Sequence, residues 1–537
     1  MNSSSHHVLN QPPPLVERDA FADNLPLAEA LEWTDASWAA KEAHQLGELY
    51  GSIEAAELAD DAHRFGPQLK THDRYGNRLD EVTFHPAYHF FMQQAVQHGL
   101  HASPWADPCP GAHAARAAKF MLAAQIEPGH GCPISMTYAS IPSLRKSPQL
   151  AAAWEPRITA TAYQPGLTAP LDKPGVLLGM AMTEKQGGSD VRANTTAATA
   201  EGDDWFITGH KWFCSAPMND AFLVLAQTPE GLSCFLMPRV LPDGSRNRMY
   251  LQRLKDKLGN RSNASSEVEF DRAHAHLVGE AGRGVPTIIE MVNHTRLDCV
   301  IASAAGMRQG VAEATWHAAH RSAFGKRLVE QPLMTNVLAD LSIESEAATI
   351  TAMRLAAAYD DPEQAAFRRL ATAVAKYWVC KRGPAHAAEA LECLGGNGYV
   401  EEAPLARRYR EQPLMSIWEG SGNVMCLDVL RALATAPETG EAFMNEVMQA
   451  LGANKALDAH LAGLRDRMEK PDMSQARRLT EDLALALQAS LLVRYAPASV
   501  ADAFCASRLG PLRGLNFGDL PSGLDLAAVV QRHQPMA

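Results

Sequence analysis

No two of the nine cysteines form a Cys-x-x-Cys pair, their number is odd and their spacing is wide. That usage argues against a disulfide framework or a zinc site and fits reduced thiols. The N-terminus lacks a signal-type apolar run: Met1-Asn2-Ser3-Ser4-Ser5-His6-His7 leads into Asn10-Gln11-Pro12-Pro13-Pro14. No later segment is long and apolar enough to span a bilayer. The expectation is a cytoplasmic protein without a membrane partner. An excess of positive charge is missing too, since 49 Lys and Arg face 61 Asp and Glu for a net charge of -12. Net charge alone therefore cannot hold the chain to nucleic acid, and any anionic partner must meet a local patch.

Core material is ample. Hydrophobic residues are 46% and charged residues 20% of 537, enough for roughly three or four ordinary globular domains. Alanine and leucine recur at helical spacing from Leu27 to Leu58 and from Tyr88 to Met121. From Met180 to Arg272 the pattern shortens and alternates, predicting strands over 204–213, 221–227, 233–240 and 267–270 between turns such as Glu201-Gly202-Asp203 and Asp243-Gly244. Amphipathic helices then return, broken near Asp360-Asp361-Pro362 and at Gly395-Gly396-Asn397-Gly398. The chain reads as α+β, mainly α, in four domains: helical over 1–179, β over 180–286, a helical bundle over 287–440 and a further helical segment over 441–537.

Three motifs carry chemistry. In Trp418-Glu419-Gly420-Ser421-Gly422-Asn423 a carboxylate stands between an aromatic and a glycine. Apolar surroundings from Ile417, Trp418 and the run after Asn423 would raise its pKa and make it a base. The plainer reading is a helix start near Ser421. The second motif is Met180-Ala181-Met182-Thr183-Glu184-Lys185-Gln186-Gly187-Gly188-Ser189-Asp190, whose hydroxyls and glycine pair can offer N–H groups to a polar cofactor or form an ordinary turn. The third is Gly209-His210-Lys211-Trp212-Phe213-Cys214-Ser215, an aromatic strand ending in a hydroxyl. His85 and His89 stand four apart, but Pro86 between them favours a structural role over a metal site, and no metal is expected.

Together these motifs and the α-β-α order resemble the acyl-CoA dehydrogenases. Within that family the chain resembles the AidB branch, flavoproteins tied to the response to DNA alkylation. The marks are Asn10-Gln11-Pro12, Phe84-His85-Pro86-Ala87, Thr183 to Asp190, Leu254-Lys255-Asp256-Lys257-Leu258-Gly259-Asn260-Arg261-Ser262 and the extra C-terminal helical segment. The resemblance implies an N-terminal helical domain, a central β-barrel or sheet domain, a four-helix bundle, FAD as cofactor and a homotetramer. It implies that Glu419 is the base and that Met180, Met182, Thr183, Gly188, Ser189, Phe213, Cys214 and Ser215 contact the flavin. Ile417, Trp418, Gly420, Ser421, Gly422 and Asn423 would complete that site. Ser189 and Arg296 would face an acyl-CoA substrate, and Ser215 would bond near flavin N5.

Arg321 and Phe324, with Gly325, match a family Arg-x-x-Phe-Gly motif. The glutamine expected eight residues after the phenylalanine is Pro332, with Gln331 one residue early, and another family glutamine is Glu392. Both differences fall where the neighbouring subunit grips the adenine end of FAD in the family. The branch also implies double-stranded DNA as a partner, with Arg431, Arg477, Arg478, Arg508 and Arg513 as candidate cations against the plain reading of a solvated helix face. The leading expectation is a DNA-binding, DNA-protecting flavoprotein with weak acyl-CoA dehydrogenase activity. The alternatives are a metabolic dehydrogenase of a short branched acyl-CoA, passing electrons to an electron-transfer flavoprotein, and a DNA-shielding module with a structural flavin.

Overall fold

The computed structural model describes residues 5–469, 472–510 and 514–536. The chain opens with helices α1 (Leu25–Trp33), α2 (Ala40–Tyr50) and α3 (Ile53–Arg64), then a hairpin of β1 (Gln68–His72) and β2 (Arg78–Thr83). Helices α4 (Pro86–Gln97), α5 (Ser103–Ala106), α6 (Ala112–Ile126), α7 (Gly131–Leu144) and α8 (Pro148–Ile158) follow. Seven strands come next: β3 (Leu178–Ala181), β4 (Ala197–Glu201), β5 (Asp204–Ser215), β6 (Ala221–Thr228), β7 (Gly231–Pro238), β8 (Met249–Leu254) and β9 (Ser265–Val278). Among the described residues that follow, the strands are the two-residue β10 (Ser322–Ala323) and β11 (Lys326–Arg327), and the main elements are helices. These helices are α9 (Gly284–His320), α10 (Pro332–Asp360), α11 (Ala365–Glu392), α12 (Pro404–Met415), α13 (Gly422–Thr435), α14 (Pro437–Val447), α15 (Lys455–Ala462), α16 (Leu464–Glu469), α17 (Ala476–Tyr495), α18 (Ala498–Phe504) and α19 (Leu526–His533). The α+β, mainly helical class is the one expected.

The chain forms two compact units, Glu54–Asp298 and the joined segments Met1–Ile53 and Cys299–Ala537. In the first, β7 pairs with both β6 and β9, so β6, β4, β5, β9 and β7 close into a ring. Its interior is packed by Ile207, Phe222, Val224, Phe235, Met237, Leu251 and Val268. Two register shifts bend β5, and at the first Gly209 takes φ 149°, where a Cβ would lie 2.5 Å from Thr196 Oγ1. Helices α6 and α7 are buried nearly all round, which their small residues permit. Arg116, fully buried on α6, pairs with Asp298 and lies over the Tyr138 ring.

Strands were expected at four places, and β5, β6, β7 and β9 occupy them. The strands β3, β4 and β8 and the β1–β2 hairpin were not anticipated. β4 reads Ala-Ala-Thr-Ala-Glu, a helix-like composition that pairing with β5 overrides. β1 and β2 are short, charged and only half buried.

In the second unit α10 and α11 form the centre. Helices α12, α13 and α14 pack on α11, while α17 and α19 pack on α10. The expected break at Asp360-Asp361-Pro362 is a cap, in which Asp361 Oδ1 accepts from Glu363 N–H at 2.9 Å. Arg308, fully buried on α9, donates to the carbonyl of His533 at 2.9 Å and to that of Asp23 at 2.6 Å.

Candidate active site

The Glu54–Asp298 unit carries the Thr183–Asp190 loop. Glu184 anchors it: Oε1 accepts from Lys211 Nζ at 2.9 Å and Thr196 N–H at 3.1 Å, and Oε2 accepts from Thr195 N–H at 2.7 Å and Gln186 Nε2 at 2.8 Å. Both charged side chains are wholly buried. Burial alone would raise the Glu184 pKa, but Lys211 and the threonine N–H groups hold it well below the usual carboxylate range. Burial lowers Lys211 to about 8, with Glu184 opposing the shift. Trp212 N–H donates to the Thr183 carbonyl at 2.9 Å and ties the loop to β5. So fixed, the loop exposes Gly188 and Ser189, and the N–H groups of Gly188, Ser189 and Asp190 have no partner among the described residues. Met180 ends in β3, and Met182 and Thr183 are half buried beside the loop.

At the end of β5 the alternation separates three predicted contacts. Phe213 is 51% exposed and Ser215 half buried, but the Cys214 side chain is fully buried in the barrel core, and burial pushes its thiol up to about 12. Cys214 is thus corrected to a backbone contact at most. Ser215 Oγ lies 3.3 Å from Ser265 Oγ. Arg296, on α9, is buried, and its Nη1 lies 3.4 Å from Asn293 Oδ1. His85 caps α4 by accepting from Ala87 N–H, and His89 bonds the Tyr163 hydroxyl at 2.7 Å, so neither is presented as a ligand.

The other unit carries the hexapeptide. Ser421 is the N-cap residue of α13, as the plain reading expected, but its side chain makes no capping bond. Glu419 takes φ 57° and Gly420 φ 109°, left-handed conformations of which only glycine's is cheap. The buried Lys376 of α11 holds this turn, donating to the carbonyl of Trp418 at 2.8 Å and to that of Gly420. Ile417 is 62% exposed, not part of an apolar enclosure of its own; Trp418 packs with Cys299, Cys380 and Met415. Asn423 Oδ1 accepts from Arg477 Nε at 2.8 Å.

The sequence reading missed Lys376, Lys211, Glu184 and the Arg477 bond. For Lys376 a signal existed, a lone charge in the run Ala373-Val374-Ala375 before Tyr377. Arg321 and Phe324 stand at the β10–β11 hairpin, Phe324 with φ 51° and 99% exposed. Of the candidate DNA cations, Arg431, Arg477 and Arg478 are exposed, Arg431 lying 3.9 Å from Asp428 and Arg478 3.4 Å from Asp482. Arg508 is corrected: it is drawn inward to the buried carboxylates of Asp340 and Glu344 and is no surface cation. Arg513 lies outside the described residues.

Comparison with known proteins decides the family. The adaptive response protein AidB N-terminal domain matches residues 10–165, the acyl-CoA dehydrogenase middle domain 179–273 and the acyl-CoA dehydrogenase C-terminal domain 282–434. AidB of Escherichia coli (strain K12) is 42% identical over 525 residues, covering 97% of each chain. The chain belongs to the AidB-like branch of the acyl-CoA dehydrogenases.

Among solved acyl-CoA dehydrogenase-fold structures, Caenorhabditis elegans ACDH-11 in complex with C11-CoA superposes with a TM-score of 0.86 at 26% identity, covering 95% of each chain. A Mycobacterium smegmatis glutaryl-CoA dehydrogenase in complex with FADH2 has the same fold at a TM-score of 0.56 and 19% identity, covering 77% of this chain and 94% of that one. Acyl-CoA dehydrogenases related to this chain are FAD-dependent. The residues here suit that group in two respects: the N–H groups of Gly188, Ser189 and Asp190 offer donors to a ring edge, and the buried indole N–H of Trp418 has no partner among the described residues. Among the described residues no helix is long and apolar enough to cross a membrane, and no cluster of His, Cys, Asp and Glu is arranged to hold a metal.

Proposed function

We propose that the chain is an FAD-dependent oxidoreductase that desaturates an acyl-CoA, assembled as a homotetramer. The observation that carries this reading is the Glu419 turn, a carboxylate on a left-handed residue with both flanking carbonyls bound by one buried ammonium. Such a turn presets the direction of the carboxylate before substrate arrives, which is what a general base requires. Glu419 takes the α-proton of the acyl thioester. FAD would supply the acceptor for a hydride from the β-carbon, and the product would be the α,β-unsaturated thioester. Ser189 and Arg296 orient the thioester, and Thr183, the Gly188 and Ser189 N–H groups and the Ser215 hydroxyl hold the flavin ring. Ser421 and Asn423 hold its phosphate and adenosine side, with Arg321 and Phe324 at the adenine end. The C11-CoA bound by ACDH-11 supports a CoA ester as substrate.

The test is anaerobic mixing with CoA esters from short branched to C11 while following the oxidised-flavin absorbance. At least one ester should bleach it, and Glu419→Gln should keep its FAD yet bleach about 10²–10⁴-fold more slowly. Bleaching by no ester, or full speed in the variant, would sink the reading.

A second reading, duplex DNA binding in the response to DNA alkylation, is favoured by the exposed guanidiniums of Arg431 on α13 and of Arg477 and Arg478 on α17, helices that pack on each other. Affinity for duplex should fall steeply with salt, and reversing Arg477 and Arg478 to Glu should flatten that slope by about two. Binding that ignores salt, or is unchanged in the double variant, counts against it.

A further inference from the structure

The Asn10-Gln11-Pro12 motif has no part in the chemistry above, yet the fold fastens it firmly. Asn10 Nδ2 donates to the Ser322 carbonyl at 2.8 Å, Ser322 N–H donates to Asn10 Oδ1 at 2.8 Å, and Arg321 Nη1 donates to the Asn10 carbonyl. Trp316 Nε1 donates to the Pro13 carbonyl at 2.8 Å. Asn397 Nδ2 donates to Gln11 Oε1 at 3.2 Å. Asn10 itself takes φ 57°, a region that asparagine enters more readily than most residues. The motif is thus a strap across the β10–β11 hairpin and the turn Gly395–Tyr399.

These two elements carry Phe324, 99% exposed, and Tyr399, 84% exposed. Open aromatic rings beside a guanidinium and carboxamides suit a purine and its phosphates, the rings for stacking, the guanidinium for phosphate and the amides for ring nitrogens. In this chain the hairpin's own amide is already engaged, because Gln331 Nε2 donates to the Ala323 carbonyl at 3.1 Å. Pro332 has no side-chain donor, and Glu392, exposed at the end of α11, can only accept when ionised. Gln11 Nε2 donates to no group among the described residues.

We infer that the Asn10–Gln11 strap is part of the adenosine-binding end of the FAD site. Asn10 braces Arg321 and the hairpin, and Gln11 supplies the amide donor that Pro332 and Glu392 cannot. The inference rests on the FAD reading of Arg321 and Phe324 given above.

Titrating the flavin-free protein with FAD and with FMN, which lacks the adenosine, tests it through flavin fluorescence. The unaltered protein should prefer FAD. The double variant Asn10→Ala, Gln11→Ala should raise the Kd for FAD about tenfold, roughly 1.4 kcal/mol, and leave that for FMN unchanged. The single variant Gln11→Glu, which turns a donor into an acceptor and leaves the Asn10 brace intact, should shift the FAD value in the same direction. FAD binding unchanged in both variants overturns the strap assignment, as does an equal loss for FAD and FMN, the mark of a general loosening. An unaltered protein with no affinity for FAD removes the flavin reading itself, and the strap assignment with it.

Discussion

Glu419 holds a backbone conformation that costs a residue with a side chain about 1–2 kcal/mol, and Lys376 offsets that cost with two bonds to flanking carbonyls. Lys376→Met leaves those carbonyls without their donor, so the protein should lose about 2–4 kcal/mol of stability. Flavin bleaching by an effective CoA ester should slow as well, and Lys376→Arg should restore part of it. A variant that loses stability but bleaches at full speed would show that the clamp does not position the base. Glu184→Gln should cost about 3–5 kcal/mol, measured by denaturant unfolding, because it strands the Lys211 charge inside the barrel wall. Residue types at the site were legible where a motif is contiguous, as from Trp418 to Asn423. Their supports were not, since Lys376 lies 42 residues from the carbonyl it holds. Side-chain direction was equally hidden: Cys214 turns inward and Ile417 outward because the β5 register and the α12–α13 turn set them, and neither is written locally.

Among the elements, the π turn Cys505–Leu509 that follows α18 places Arg508 against α10, where Arg382 of α11 meets the same carboxylate. Burial alone would raise the Glu344 pKa, but Arg382 and Arg508 more than reverse this and pull it from 4.5 to about 2. A depressed carboxylate contributes stability that is fully present above its unfolded pKa and is lost as pH falls through its folded one. Unfolding free energy should therefore decline between about pH 4.5 and 2, and Glu344→Gln should make that decline shallower. An unchanged slope would mean that the ion pairs do not tie the π turn to α10. Long elements were readable because their period repeats many times, as in α10 and α11. The β3 strand, only Leu-Gly-Met-Ala, exists because β6 pairs with it, a cause that lies more than forty residues downstream.

For the whole molecule, none of the nine cysteines is in a disulfide, and of the nine only Cys109 is exposed. Burial pushes Cys214, Cys234, Cys393 and Cys505 up to about 12, which removes the reactive thiolate. A thiol reagent should label one cysteine in the native protein and nine after denaturation, read by mass spectrometry; rapid native labelling of several would contradict the packing. The division into two units has no local marker, because Ile53 opens α3 and Asp298 lies inside α9. Arg308 shows what that division demands during synthesis. Its guanidinium binds the carbonyl of Asp23 and that of His533, so this contact cannot be completed until His533 has left the ribosome. At roughly 5–20 residues per second the early helices wait on the order of tens of seconds for their partners, during which the Glu54–Asp298 unit has everything it needs to fold first.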